Sequence, residues 1–203
     1  MKNKISTKDL VLMGVITAVL FVMAYTPLGY LNVGAVAITF NTIPVAVAAM
    51  AVGPVGGAVA GGVFGLTSYL QAAQLINISP LLTVVLCFVP RIADGLICGF
   101  AARYMMKAGV KPAISGGVTG FLAACLNTLF FLPALVLLFG STEYIQGIRE
   151  TIAPGKGVFM FLVAFAGVNA VVEWIAVTAA TSAIGTALSS ARLIGVSKKK
   201  AEA

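Results

Sequence analysis

The chain has 203 residues, of which 60% are hydrophobic and only 9% charged, with a mean hydropathy of +1.07 and a net charge of +7. Soluble domains carry about 25% charged residues, so a soluble fold is excluded. Long apolar runs recur along the whole chain, which excludes a single anchor on a soluble domain, and they lack the alternation of membrane barrel strands. What remains is an all-α integral membrane protein, with one membrane domain over residues 1–203.

Residues 1–9 form a basic, polar N-terminus ahead of span one, Leu10 to about Tyr25, which Pro27 ends. The basic start and apolar run resemble a signal peptide, but no small-x-small cleavage site ends the run and more spans follow, so it reads as the first span. Within it, Gly14-Val-Ile-Thr-Ala18 is a small-xxx-small pattern that lets another helix approach closely. Residues 26–40 are an uncharged connection broken by Gly29, Asn32 and Gly34, either a lid dipping into the membrane or a loop resting on the bundle. Asn41-Thr-Ile-Pro44 opens span two, with Asn41 or Thr42 as the cap and Pro44 in the first turn. The run to Val52 is short of the ~20 residues a crossing needs, so it must borrow residues before Asn41 or tilt.

Gly53-Pro54 turns into span three, Pro54 to about Ala73. Gly53, Gly57, Gly61 and Gly65 recur every fourth residue and form one small face, widened by Gly56 and Gly62. So many glycines argue for close helix packing in lipid. The span ends in the polar tip Thr67-Ser-Tyr-Leu-Gln71, either solvated or lining a site through Tyr69 and Gln71. Span four runs from about Pro80 to Tyr104 with Pro90, Arg91 and Asp94 in its middle. A charge at bilayer depth costs about 2.5–3.5 kcal/mol on insertion scales and faces a partner or a wet cavity. Arg91 and Asp94, three apart, can pair with each other, or Arg91 can serve a polar site. Pro90 leaves one helical carbonyl without its donor beside it.

Span five, about Ala113 to Phe139, holds Asn127 and Thr128 in an apolar run. An Asn there either binds helices together or contacts a ligand. Residues 141–157 are the longest polar connection. Span six, about Val158 to Ile184, continues towards Arg192 and carries Asn169 and Glu173, four apart and on one face, together with the only tryptophan, Trp174. Residues 193–203 are a basic tail.

Six spans put both termini on one side, with Lys2, Lys4, Lys8, Arg103, Lys107, Lys111, Arg192 and Lys198 to Lys200, while the other side holds two uncharged connections and one with two acids and two bases. The positive-inside rule makes the termini cytoplasmic; these flanking charges set orientation and do not suggest nucleic-acid binding. There is no His, and Cys87, Cys98 and Cys125 all lie in apolar runs, so neither metal nor other cofactor is expected. The outer connection, the polar tip of span three and the deep Arg91 suggest one small-molecule pocket that opens outward. A guanidinium fork suits a carboxylate, and Asn127 an amide or hydroxyl. A lipid-acting membrane enzyme with Glu173 or Asp94 as base, and a proton-coupled transporter of a small organic anion, stand as alternatives.

The chain resembles the S component, the substrate-binding membrane subunit, of energy-coupling factor vitamin transporters. The likeness rests on six spans in about this length, on Ile38-Thr-Phe-Asn-Thr-Ile-Pro-Val45, Val52-Gly-Pro-Val-Gly-Gly-Ala58 and Val63-Phe-Gly-Leu-Thr-Ser68, and on Val89-Pro-Arg-Ile92 and Leu126-Asn-Thr-Leu129. The Pro-Arg-Ile and Asn-Thr elements are most similar to the pantothenate-type branch; riboflavin, folate and a pyridoxine-like vitamin stand behind pantothenate. The resemblance implies a plasma-membrane binding subunit with no ATPase of its own, in keeping with the missing phosphate loop. Its implied partners are a membrane coupling subunit and two ABC-type ATPases, against which it topples to release the vitamin inside. It implies docking through Gly14 and Ala18, with Gly in place of the family's usual first Ala. It also implies that Arg91 takes the carboxylate and Asn127 the amide or hydroxyls, with Thr39, Asn41 and Gln71 closing the pocket.

Overall fold

The structure is a computed structural model that describes residues 6–33 and 36–194, with the side chains of residues 31–33, 36, 37, 168 and 169 left outside that description. In chain order it comprises α1 (Thr7–Ala24), β1 (Tyr30–Val33), β2 (Val36–Thr39), α2 (Thr42–Val52), α3 (Pro54–Gln71), α4 (Ala73–Ile78), α5 (Pro80–Lys107), α6 (Pro112–Phe139), α7 (Glu143–Ile152) and α8 (Val158–Ser190). Helix starts follow local chemistry. Ser6 caps α1 in a box with Asp9, and Pro54, Pro80 and Pro112 open α3, α5 and α6, where a missing N–H leaves no helical bond unmade. Asn41 precedes α2 as expected, but its side chain makes no capping bond.

Four helical stretches are long and apolar enough to cross a membrane: α1, α5, α6 and Ala170–Ser190 within α8. The Thr42–Val52 helix and Val158–Gly167 are apolar but shorter. The fold is helical as expected, and one connection adds a small non-helical element. The connection after α1 is an antiparallel hairpin, with Tyr30 opposite Thr39 and Leu31 opposite Ile38. Val36-Ala-Ile-Thr-Phe40 alternates only in part, too weak a sign to identify a strand unaided. The polar connection 141–157 also folds in part, as the amphipathic α7, capped by Thr142 and packed through Ile145, Ile148 and Ile152.

Helices α3, α5, α6 and α8 pack in succession, and α2 contacts all four. Its short length is thereby explained: α2 is central, with Thr42, Val45, Ala46, Ala48, Ala49 and Met50 buried. The glycine face of α3 packs on α5. A methyl group at Gly57 would strike the carbonyl of Gly95, one at Gly95 the carbonyl of Gly57, and one at Gly61 the carbonyl of Arg91. Gly53, at φ +82°, makes the α2–α3 turn in a region where a side chain is strained. At one end of the bundle Lys8 Nζ donates to the carbonyls of Arg192 and Leu193, both at 3.0 Å, so the start of α1 and the end of α8 lie together.

Candidate functional site

Arg91 sits one residue after the proline inside α5. Pro90 has no N–H, so the Leu86 carbonyl four residues back loses its helical donor. Arg91 Nη1 turns back along its own helix to that oxygen at 3.4 Å, and to the Cys87 oxygen at 3.1 Å. Its guanidinium carbon lies 4.6 Å from the Phe64 ring centre and 4.7 Å from that of Phe131. Two rings with their negative faces towards a cation stabilise it away from water. Phe64 reaches this position because the adjacent glycines, Gly61 and Gly65, bring α3 onto the backbone of α5 at Arg91 and Cys87.

Of the two readings for Arg91, pairing with Asp94 is not the one made among the described residues. Asp94 lies one turn further along α5, 1% exposed, and accepts a bond from the Cys98 thiol at 3.2 Å, while its other oxygen has no partner. Cys98 packs with Ala46 and Ala49 of α2 and Ala123 of α6. Asp94 therefore belongs to the packed centre, and Arg91 is left to the cavity.

That cavity has a volume of about 430 Å³, within the ~300–1,000 Å³ usual for small-molecule sites. No residue of α2 lines it; it occupies the part of the bundle that α2 leaves open. α5 contributes Cys87 and Arg91, α6 contributes Asn127, Thr128, Phe131 and Leu132, and α3 contributes Phe64, Ser68 and Gln71. From α8 come Phe165, Ala166, Ala170 and Glu173, flanking a break at Gly167, whose φ of +33° and ψ of −138° are not helical. Leu75 of α4 and Tyr144 of α7 complete the rim, and the hairpin covers it with Tyr30 and Thr39.

The hairpin is held at both ends. The Tyr30 hydroxyl lies 3.3 Å from Ser68 Oγ on α3, and the Thr39 N–H donates to Glu173 Oε2 on α8 at 3.5 Å. Among the described residues, three polar groups around the cavity have buried atoms without a hydrogen-bond partner: Arg91 Nε, Asn127 Oδ1 and Glu173 Oε1. An unpartnered buried polar atom costs about 1–3 kcal/mol, so this pattern suits a site completed by a ligand. Chemically, the Arg91 guanidinium can donate to an acidic group, and the Asn127 and Glu173 oxygens can accept from hydroxyl or amide hydrogens.

Of the residues expected from sequence, Arg91, Asn127, Gln71, Thr39 and Glu173 line this cavity, and Gln71 Nε2 is tied back to the Thr67 carbonyl at 3.2 Å. Asn41 and Tyr69 do not line it. Asn41 is fully buried behind the hairpin, beside Gly29, and Tyr69 lies one residue off the lining face of α3. The side chain of Asn169 lies outside the described residues. Sequence reasoning missed Tyr30, Phe64, Ser68, Phe131 and Tyr144. Phe131 was within reach, since it stands four residues after Asn127 on the same helical face. Phe64, Ser68 and Gln71 share one face at i, i+4 and i+7 in the same way. Among the described residues no group of three His, Cys, Asp or Glu could hold a metal ion.

Gly14 and Ala18 are both exposed on α1, opposite its buried residues Ile16, Leu20 and Ala24, and a methyl group added at Gly14 would meet nothing within 4 Å.

Residues 8–185 match the family model described as "ECF transporter, substrate-specific component". A protein named pantothenate transporter PanT, from Leuconostoc mesenteroides subsp. mesenteroides, is 30% identical over 197 residues, which cover 90% of this chain and 92% of that relative.

Proposed function

Because the chain belongs to the substrate-specific components of ECF transporters, a transport family and not an enzyme family, we propose that this membrane protein captures pantothenate. The observation that carries the substrate is Arg91, 6% exposed at the cavity wall between two phenyl rings and bonded, among the described residues, only to backbone carbonyls of its own helix. A carboxylate gives this guanidinium the fork-to-fork partner it lacks. The name of the 30%-identical relative supports the same vitamin. Asn127 and Glu173 then face the amide and hydroxyl end.

The chain crosses the plasma membrane six times in this reading, with both termini cytoplasmic. The basic residues Lys8, Arg103, Lys107, Lys111 and Arg192 support that orientation through the positive-inside rule. The hairpin closes the cavity on the outer side. Docking to a coupling subunit, which works with two ATPase subunits, uses the open Gly14–Ala18 face of α1.

The test is equilibrium binding to the purified protein, with pantothenate against a panel of other water-soluble vitamins. Tight pantothenate binding is expected, with Arg91→Ala losing about 100-fold or more, the scale of truncating one partner of a buried charge pair. Preference for a different, uncharged vitamin, with Arg91→Ala still competent, would overturn the substrate assignment.

A further inference from the structure

We infer that Glu173 reads the donor end of the ligand and couples that recognition to closure of the hairpin. The inference rests on the carboxylate-vitamin reading above and assigns the other half of the pocket's selectivity.

Glu173 stands where two jobs meet. One carboxyl oxygen, Oε2, accepts the backbone N–H of Thr39, the last residue of β2. The other, Oε1, is buried with no hydrogen-bond partner among the described residues, on a residue that lines the cavity. The side chain is 5% exposed, so water does not freely satisfy that oxygen, and a ligand O–H or N–H does. A single rigid carboxyl group thus links lid and ligand, since a bond at Oε1 fixes the orientation in which Oε2 meets Thr39.

The arrangement also orients the ligand. Arg91 and Glu173 come from α5 and α8, and α6, which carries Asn127, packs against both helices. A molecule with an acid at one end and hydroxyl or amide hydrogens at the other satisfies both. A carboxylate at the Glu173 end meets repulsion, and an apolar group there leaves Oε1 buried and unpaired. Specificity of this kind works by penalising the wrong ligand.

The rest of the hairpin leaves Glu173 a defined part to play. Its first strand is tied to α3 by the Tyr30–Ser68 contact, which involves no cavity-facing charge. The tie at Thr39 passes through a group that also senses the ligand. Glutamine at position 173 has nearly the same shape, but one of its two terminal atoms is an NH2 donor, so it cannot accept at both ends of the group as the carboxylate does.

The probes are pantothenate and the analogue of the same chain with both hydroxyls replaced by hydrogen. Affinities and dissociation rates are measured on purified wild type, Glu173→Gln and Thr39→Pro, the last removing the N–H that reaches Glu173 together with the hydroxyl that accepts from Asn41, with Thr39→Ala as the control that loses the hydroxyl and keeps the N–H. Wild type is expected to prefer pantothenate over the analogue by about tenfold to a hundredfold, the range for a hydrogen bond to a charged group. In Glu173→Gln that preference should fall to a few-fold or less, with faster pantothenate release. Thr39→Pro should keep the preference and still release pantothenate faster. Equal binding of the two probes by wild type, or an unchanged preference in Glu173→Gln, would overturn the inference while leaving the carboxylate reading intact. Absence of pantothenate binding in wild type would overturn both.

Discussion

Two small-residue stripes in this protein look alike as sequence and have opposite fates in the fold. On α3, Gly57, Gly61 and Gly65 are buried against the backbone of α5. On α1, Gly14 and Ala18 are exposed, with open space where a Gly14 side chain would go. Both patterns say that another helix can come close. The α3 stripe finds that helix inside the chain, and its contact sets Phe64 over Arg91. The α1 stripe finds none among the described residues, which is what a surface reserved for another subunit requires. Spacing shows that an approach is possible; whether the approaching helix is in the same chain depends on how the helices are arranged.

The comparison is broken most forcefully at Gly61. Valine there drives a methyl group into the Arg91 carbonyl, and the contact is with backbone, so no side chain can move aside. Gly61→Val is expected to lose about 3 kcal/mol or more, the upper end for overpacking, read as a collapse of the thermal unfolding midpoint together with ligand affinity. Retained stability would mean that α3 and α5 are less closely packed than described.

Ala18→Trp sharpens the other side. The site is exposed, so stability should stay within about 0.5 kcal/mol and ligand affinity should not change. Uptake by cells that carry the coupling and ATPase subunits should nevertheless be abolished if the proposed docking through this face holds, because a bulky ring fills it. Lost binding in the purified variant would show instead that the α1 stripe serves internal packing. The smallest effect belongs to Gly14→Ala. The added methyl meets nothing, and replacing a mid-helix glycine is worth about 0.5–1 kcal/mol, so the unfolding midpoint should rise slightly with affinity unchanged. A fall would place an unseen neighbour at this position.

Much of the site was legible one residue at a time. Arg91, Asn127 and Glu173 stand out because polar groups are scarce in apolar runs and expensive to bury. Their neighbours were harder. Successive helical residues differ by about 100° in direction, so choosing Ser68 over Tyr69 requires the rotation of α3 about its axis. Nothing local gives that rotation; the glycine contact with α5 sets it. Thr39 and Asn41 are two apart and would share a face of a continuous strand, but β2 ends at Thr39 and Asn41 already stands at the start of α2, so the chain turns between them.

Composition alone determines that this chain is a helical membrane protein, because so few charges and so many long apolar runs leave no soluble alternative. It also determines where the buried charges are, since Arg91 and Asp94 lie mid-run whatever the fold. Their roles depend on tertiary packing. The two residues are three apart on one helix and could have neutralised each other. Packing of Cys98 against α2 and α6 draws Asp94 into the centre, while Pro90 frees a carbonyl for Arg91 and the rings of Phe64 and Phe131 hold it at the cavity. Charge and spacing along one helix cannot settle that choice, because its deciding partners come from α2, α3 and α6.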